Sequence, residues 1–332
     1  MLSAKMIAYY IIGFGAFMLF FLLPIRKLEW LIPSIYWVNI ILLLSVEFVG
    51  VSKLGAQRWI EIPFINFTIQ PSEIMKPAFV LMLAYLIKKT PPDEEGYNLK
   101  QFLKLSIYIL LPFILILKEP DLGTALMLLI TGYGVLFIVG VNRKIWISIA
   151  LLIGISSPIL YENLHDYQKK RIADFISEKP SYQVRQSIIA IGNGGITGKS
   201  IDEATQTKFK FLPIATSDFI FAYTVERYGF IGGAGLIMLY GFLIMHLLSL
   251  NYKLKDEYFI KAAVSAVALL IFIYVSVNIF MTIGFAPVVG IPLPFYSYGG
   301  SSFITFMCLF GILQNLLTFR FDKTNRFVKI NF

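Results

Sequence analysis

The sequence is poor in charged residues, cysteine and histidine. Charged residues make up 15% of its 332 residues, and it has one cysteine and two histidines. Because a soluble domain usually contains about a quarter charged residues, we do not expect a water-soluble protein. The single cysteine, Cys308, excludes an intramolecular disulfide framework. His165 and His246 lie far apart in the chain, so a histidine-rich metal site is not expected either.

Apolar residues take the place of the missing charges. They make up 57% of the chain, and the mean hydropathy is +0.73. Because a helix needs about 20 apolar residues to cross a bilayer, the long apolar runs predict transmembrane helices. We therefore predict an all-α, polytopic integral membrane protein in which residues 1–332 form one transmembrane domain. The nine predicted spans are 7–23, 31–49, 73–88, 103–117, 122–140, 145–161, 219–249, 260–283 and 301–318.

The net charge of +9 is explained by where the lysines and arginines lie. Short cytoplasmic loops of membrane proteins carry an excess of these residues. Here the excess falls in one alternating set of connections, which predicts an external N-terminus, a cytoplasmic C-terminus and no nucleic-acid partner. The cations of that set are Arg26, Lys27, Lys88, Lys89, Lys100, Lys104, Arg143, Lys144, Lys253, Lys255, Lys261, Arg320, Lys323, Arg326 and Lys329.

Three external segments carry most of the functional information. The loop 162–218 is long, and the segments 50–72 and 284–300 are rich in glycine, proline and aromatic residues. Loops longer than about 15 residues are usually functional or disordered. Since apolar residues continue throughout 162–218, we expect this loop to pack on the helical bundle. The sequence has no convincing internal repeat, which weakens a transporter interpretation.

Asp218 lies where the long external loop becomes the seventh apolar run. The Thr-Ser-Asp cluster at 216–218 is a typical helix-start signal, so a helix N-cap is one interpretation. The other is a carboxylate held at the external membrane surface, where it could deprotonate a hydroxyl nucleophile. A helix N-terminus favours the ionised carboxylate, whereas partial burial favours the protonated form. The sequence does not decide which effect is larger.

Arg58, Trp59 and Lys76 are candidate substrate-binding residues. Arg58 could pair with phosphate oxygens, and Trp59 could stack on a sugar or anchor the chain at the membrane interface. Lys76 lies one turn inside a predicted span, where an unpaired cation is costly. Glu73 is its expected partner, since it lies three residues earlier on the same predicted helix.

Glu119 and Asp121 lie at a tight external connection between two predicted spans. They could cap the adjoining helices or line the same cavity as the other candidates. Together with Asp218 they could also bind a divalent cation, although no motif requires one. Glu47 and Glu226 are further acids inside predicted spans, which a purely structural bundle would not favour.

A glycine-rich segment occupies residues 192–200 and has the sequence Gly-Asn-Gly-Gly-Ile-Thr-Gly-Lys-Ser. It is not a Walker A motif, because Asn193 stands where the first glycine belongs. A flexible turn is one interpretation. The other is a backbone nest for a pyrophosphate, formed around Gly194, Gly195 and Lys199.

The uncharged segment 287–302 opens the last predicted span and is rich in proline, glycine and tyrosine. Irregular backbone at membrane depth is tolerated only inside protein or against a water-filled cavity. We therefore expect this segment to line a cavity, and we include Ser301 among the candidate substrate-binding residues.

Taken together, these segments resemble the SEDS family (shape, elongation, division and sporulation), and within it RodA more than FtsW. Gly-Ala-Gln-Arg-Trp at 55–59 and His-Asp-Tyr-Gln at 165–168 favour the RodA branch. The matching stretches occur in order along the chain: 55–60, 70–76, 119–124, 165–171, 187–199, 211–222, Asn278 and 287–302.

The resemblance implies a peptidoglycan glycosyltransferase that joins lipid II units into glycan strands at the outer face of the bacterial cytoplasmic membrane. It also implies, besides membrane lipids, a class B penicillin-binding protein and the elongation machinery as partners. The family's essential aspartate maps onto Asp218, which we expect to be the general base. Its external arginine and tryptophan map onto Arg58 and Trp59. Ser217 stands where the family usually has threonine.

RodA-like proteins usually have ten spans and a cytoplasmic N-terminus. This sequence begins close to where their second span begins, so nine spans and an external N-terminus are expected. A lipid II flippase and a non-catalytic scaffold of the cell-wall machinery are the alternative functions. The candidate groups lie mostly on the external side, which favours an enzyme. Glu47 and Glu226, which lie inside predicted spans, keep the flippase as an alternative.

Overall fold

The structure is a computed structural model that describes residues 4–53, 56–62, 67–164, 166–177, 180–209, 211–212, 215–254 and 257–319. Within these residues, each of the nine predicted spans is helical. The prediction of an all-α, polytopic membrane protein is confirmed. The helices, in chain order, are α1 Ala4–Leu22, α2 Ile32–Val49, α3 Pro71–Lys89, α4 Leu99–Lys118, α5 Leu122–Val139, α6 Arg143–Glu162, α7 Asp166–Ile176, α8 Tyr182–Gly194, α9 Thr205–Lys208, α10 Ile220–Lys253, α11 Tyr258–Thr282 and α12 Gly300–Thr318.

Six of these helices are long and apolar enough to cross a membrane by length and composition. They are α2 with the 3₁₀ turn Glu29–Leu31 before it, α4, α5, α10, α11 and α12. The helix α11 lies at the centre of the bundle, where it packs against α3, α5 and α10. Most side chains of α3 and α11 are buried. The outer helices bury one side and leave large apolar side chains exposed, as lipid-facing helices do.

A small antiparallel sheet stands in the segment 50–72, which was expected to be a loop. Its strands are β1 Val51–Lys53, β2 Ala56–Ile62 and β3 Phe67–Ile69, in the order β1-β2-β3. Gly55, part of one family-like motif, lies outside the described residues. Because β2 is the central strand and packs against α2 and α3, it holds Arg58 and Trp59 in a fixed register beside these helices.

The long external loop has its own helices, α7, α8 and α9. The prediction that it packs on the bundle is confirmed, since α8 packs along α10. In addition, the hydroxyl of Ser187 donates a hydrogen bond to the carbonyl of Thr282, at the end of α11, over 2.7 Å. His165, part of a second family-like motif, lies outside the described residues.

The 34-residue helix α10 is kinked at Gly229. Gly229 has φ +67° and ψ −167°, a conformation that favours glycine. The kink leaves amide groups at the start of the second half of the helix without partners inside the helix. Carbonyl groups of the glycine-rich segment accept hydrogen bonds from them. The amides of Phe230 and Ile231 donate to the carbonyls of Gly195 and Ile196 over 2.8 and 3.2 Å. The extra length of this span is thus partly used to bind the external loop.

Candidate functional site

Asp218 lies just before α10, but it does not cap the helix. The N-cap residue is Phe219, and no side chain of the described residues accepts a capping hydrogen bond there. Instead, Asp218 Oδ1 accepts a hydrogen bond of 2.9 Å from the hydroxyl of Ser217. A Cβ atom added to Gly290 would lie 3.4 Å from Asp218 Oδ2, so the backbone around Gly290 borders the carboxylate. The N-cap interpretation of Asp218 is therefore wrong.

The main chain of Asp218 is held by the fully buried side chain of Asn278, on α11. Asn278 Nδ2 donates to the carbonyl of Asp218 over 2.8 Å and to the carbonyl of Ile291 over 2.6 Å. The hydroxyl of Ser297 donates to the carbonyl of Ser217 over 2.7 Å. One amide and one hydroxyl thus join the start of α10, the helix α11 and the uncharged segment before α12.

Burial raises the pKa of the Asp218 carboxyl above its usual range, and the hydrogen bond from Ser217 lowers it by a smaller amount. Burial therefore outweighs the hydrogen bond from Ser217 at this carboxyl. A carboxylate with a raised pKa is a stronger base, and a base with a pKa nearer to neutrality is better suited to take a proton at physiological pH.

Arg58 reaches from β2 to the turn between α4 and α5. Its Nε donates to the carbonyl of Glu119 over 3.1 Å, and its guanidinium also donates to the carbonyl of Pro120. Its Nη1 lies 3.8 Å from Asp121 Oδ1. A planar guanidinium can satisfy several acceptors at once, which an ammonium group cannot do in the same geometry. In this arrangement Arg58 fixes the turn.

Asp121 caps α5. Its Oδ1 accepts a hydrogen bond of 3.2 Å from the amide of Thr124, and its Oδ2 accepts one of 3.2 Å from the side-chain amide of Gln70. The capping interpretation therefore holds for Asp121. Because Arg58 and Gln70 both reach it, Asp121 ties the sheet and the start of α3 to the start of α5.

Glu119 is 3% exposed, and neither of its carboxyl oxygens has a hydrogen-bond partner among the residues that the structure describes. The pKa of Glu119 is raised from its ordinary value of 4.5 to about 8, mainly by burial. The negative charges of Asp121 and Glu47 contribute to this rise, and Arg58 opposes it. Glu119 is therefore mostly protonated at neutral pH.

Lys76 is fully buried in α3 and is paired with Glu73, as expected from their spacing. Its Nζ lies 2.5 Å from Glu73 Oε1 and 5.1 Å from the ring centroid of Tyr274, on α11. Tyr274 and Asn278 lie four residues apart, so they share one face of α11. The ion pair and the backbone of Asp218 therefore contact neighbouring turns of the same helix.

The start of α5 packs against the segment that borders Asp218. A Cβ atom added to Gly123 would lie 3.1 Å from the carbonyl oxygen of Val289 and 3.4 Å from Cγ1 of Ile291. Gly123 lies two residues after Asp121. The structure thus brings both the Arg58–Asp121 group and the Asp218–Asn278 group close to the segment 289–291, at one end of the bundle.

Trp59 and Ser301 lie at the margins of this region. Trp59 is half-buried in β2, where it pairs with Val51. Ser301 is exposed in the first turn of α12. Their roles in substrate binding stay predictions.

The glycine-rich segment packs against the kink of α10. A Cβ atom added to Gly194 would lie 2.1 Å from the carbonyl oxygen of Val225, and one added to Gly198 would lie 2.3 Å from that of Arg227. The amide of Lys199 donates to the carbonyl of Glu226 over 2.9 Å. These glycines allow close backbone packing, while Gly195 and the side chain of Lys199 remain exposed. Pyrophosphate binding by the exposed part stays a prediction.

Sequence reasoning left Asn278, Gly290 and Ser297 out of the candidate site residues. Their signal was weak: Asn278 is one amide in an apolar span, and the other two belong to an uncharged segment that was expected to line a cavity. No charge marks any of the three, so only the folded chain reveals their contacts with Ser217 and Asp218.

Among the described residues, no group of three or more histidine, cysteine, aspartate or glutamate side chains is arranged to hold a metal ion. Glu119 and Asp121 are close in the chain and could supply carboxylate oxygens, which Mg²⁺ and Ca²⁺ prefer. A divalent cation therefore stays a prediction.

The chain is similar to proteins of known activity. The family model for cell cycle proteins of the FtsW, RodA and SpoVE type matches residues 1–321. The peptidoglycan glycosyltransferase MrdB of Helicobacter pylori (strain ATCC 700392 / 26695) is 59% identical over 320 residues, covering 96% of this chain and 84% of that protein. MrdB of Escherichia coli (strain K12) is 37% identical over 306 residues, covering 90% of this chain and 80% of that protein.

Solved structures show the same fold. A chain from the work titled "Structural coordination of polymerization and crosslinking by a peptidoglycan synthase complex" matches with a TM-score of 0.78 and 26% identity, covering 95% of this chain and 88% of that chain. The rod shape determining protein RodA of Thermus thermophilus matches with a TM-score of 0.70 and 25% identity, covering 96% of this chain and 88% of that chain.

Proposed function

This chain belongs to the FtsW, RodA and SpoVE family and is a peptidoglycan glycosyltransferase, and we propose that it polymerises lipid II with Asp218 as the general base. The observation that carries this role is the position of the Asp218 carboxylate. It is partly buried and has a raised pKa, and its main chain is fixed by Asn278 where three packed segments meet. The chain is a multi-pass membrane protein.

The proposed reaction is a displacement at the anomeric carbon of one sugar by the C4 hydroxyl of another. The bond from the hydroxyl oxygen to the anomeric carbon forms as the bond from that carbon to the pyrophosphate oxygen breaks. Asp218 takes the hydroxyl proton, and undecaprenyl pyrophosphate leaves. A positioned base typically contributes about 10²- to 10⁴-fold to such a rate.

The leaving pyrophosphate needs cations near it, and we propose Arg58 as the first of these. Arg58 is 24% exposed at its side chain, so part of its guanidinium remains accessible while the rest holds the turn before α5. Lys76 is fully buried and paired, so we propose that it acts through the packing of α3 against α11. Trp59, Lys199 and Ser301 are proposed as further substrate contacts.

We also propose that the chain lies in the bacterial cytoplasmic membrane with its C-terminus inside, and that it works with a class B penicillin-binding protein during elongation. The distribution of lysines and arginines supports this orientation. The likeness to a chain of a peptidoglycan synthase complex supports a partner that crosslinks the glycan strands.

Glu47 and Glu226, the two acids that kept a flippase as an alternative, have local roles in the structure. Glu47 Oε1 lies 3.5 Å from Lys118 Nζ. Glu226 accepts three hydrogen bonds from the external loop. Both observations favour the enzyme, because a translocation path needs charged groups that are free to meet the substrate.

The experiment that tests the proposed function uses the purified chain in detergent, where no second compartment exists for a flippase. Supplied with lipid II, with and without the penicillin-binding partner, it should form glycan polymers. Absence of polymer in both samples would contradict the proposal. Adding EDTA to a parallel sample tests the separate proposal of a divalent cation.

A further inference from the structure

Glu226 is a buried acid for which the proposed reaction has no use. It is fully buried in α10, three residues before the kink at Gly229. A buried carboxylate is costly unless hydrogen bonds compensate for the lost water. Its partners therefore indicate what it is for.

The carboxylate of Glu226 is satisfied by α9 of the external loop. Its Oε1 accepts from the amide of Gln206 over 3.0 Å, and its Oε2 accepts from the amide of Thr207 over 3.1 Å. The hydroxyl of Thr207 also donates to Oε2, over 2.8 Å. These three hydrogen bonds from two consecutive residues anchor α9 to α10 at Glu226.

Leu212 connects the anchored helix α9 with the candidate base. The amide of Leu212 donates to the carbonyl of Gln206 over 3.3 Å. The side chain of Leu212 is buried in a cluster with Phe219 and Ala222. Phe219 follows Asp218 in the chain, so the anchor and the candidate base are connected through one small apolar cluster.

We propose that Glu226 is a positioning residue for glycosyl transfer. It holds α9 on α10, and α9, through Leu212 and Phe219, sets the position of Asp218. The inference rests on the proposed role of Asp218 as the base. A misplacement of about 1 Å at a catalytic group can lower a rate about 100-fold, so a loosened anchor is expected to reduce turnover.

The test replaces each partner of the anchor in the full chain. Glu226→Gln keeps the shape but, in either orientation of the amide, places an NH2 donor against a donor of Gln206 or Thr207. Thr207→Val removes one of the three hydrogen bonds. Asp202→Asn is the matched control, because the exposed side chain of Asp202 contacts α9 through a surface pair with Lys208, which contributes little to stability, and not through Glu226. Lipid II polymerisation gives kcat and KM, and hydrogen–deuterium exchange of the peptide 204–212 reports the anchor.

We expect Glu226→Gln to lower kcat about 10- to 100-fold with little change in KM, and to speed exchange of the peptide 204–212. Thr207→Val should lower kcat about fivefold, in line with the loss of one buried hydrogen bond. Asp202→Asn should behave as wild type. Protein that stays monodisperse in detergent, with an unchanged melting temperature, separates positioning from unfolding.

Faster exchange with a wild-type kcat would overturn the inference, because the anchor would then be structural only. Unchanged exchange would overturn it too. If Glu226→Gln does not fold, Thr207→Val decides by the same two readouts. Asp218→Asn separates the two proposals: full activity in Asp218→Asn contradicts the proposed base, whereas an inactive Asp218→Asn beside a fully active, loosened Glu226→Gln contradicts only the positioning role.

Discussion

The side-chain amide of Asn278 holds the backbone of Asp218. Its Nδ2 donates both to the carbonyl of Asp218, over 2.8 Å, and to the carbonyl of Ile291, over 2.6 Å. The candidate base is thus fixed to the central helix through its main chain, which leaves its carboxylate to accept one hydrogen bond from Ser217 and to face Gly290. Such an arrangement orients a base without neutralising it.

Asn278→Ala should lower polymerisation at least about tenfold. The change removes both hydrogen bonds and leaves two buried carbonyl groups unpaired, each at a cost of about 1–3 kcal/mol. Asn251→Ala is the control, because Asn251 donates to the hydroxyl of Ser265 elsewhere in the bundle over 2.9 Å. It should lower the melting temperature and keep the activity. Equal activity in the two variants would show that Asn278 has no special relation to the base.

Gly290→Ala should also lower polymerisation. Gly290 has φ +69°, and a Cβ atom there would contact the carboxylate of Asp218. Left-handed backbone costs a residue with a Cβ atom about 1–2 kcal/mol, so the segment is expected to shift. Gly140→Ala is the control. Gly140 has φ +117° and lies near Gly96, so an alanine there is also strained, but this position is far from Asp218 in the chain. The control variant should lose stability alone, and a matching loss of activity there would contradict the assignment.

Arg58→Lys should reduce activity about tenfold or more, although the charge is kept. Lysine cannot donate in a fork to the carbonyls of Glu119 and Pro120 while also reaching Asp121. The turn before α5 should therefore loosen. Arg26→Lys, which alters a single long contact with Glu257, serves as the control and should remain active. The polymerisation assay compares the two.

Glu119→Gln should change how stability depends on pH. Burial raises the pKa of Glu119 from 4.5 to about 8, so the folded protein binds a proton that the unfolded chain releases. Stability from this group is complete below pH about 4.5 and is lost as the pH rises through about 8. The melting temperature of wild type should therefore fall more between pH 6 and pH 9, on the order of several degrees, than that of Glu119→Gln. Parallel curves for the two proteins would contradict the raised pKa.

The sequence predicts the helical framework well, because a membrane-spanning helix depends on local apolar runs of about 20 residues. The same reasoning misses the sheet, since the strand Val51–Lys53 is too short to be recognised alone and is stabilised by pairing with β2. For the kink at Gly229, the only indication in the sequence is the unusual length of the apolar run.

The candidate site was predicted in its charged residues and missed in its uncharged ones. Asp218, Arg58 and Lys76 are easily recognised, because a charged side chain in or near the membrane is costly and is usually paired or functional. Asn278 and Gly290 act through contacts with residues 60 or more positions away in the chain, which no local pattern reveals. The role of Glu226 depends equally on a loop that folds back onto its helix.

The most direct test of the account is lipid II polymerisation by purified Asp218→Asn beside wild type. The substitution keeps the size and polarity of the side chain but removes its ability to take a proton. With equal amounts of folded protein, and with the penicillin-binding partner present in both, the account predicts a rate lowered about 10²-fold or more. Near-normal polymerisation by Asp218→Asn would contradict the role of Asp218 as the general base.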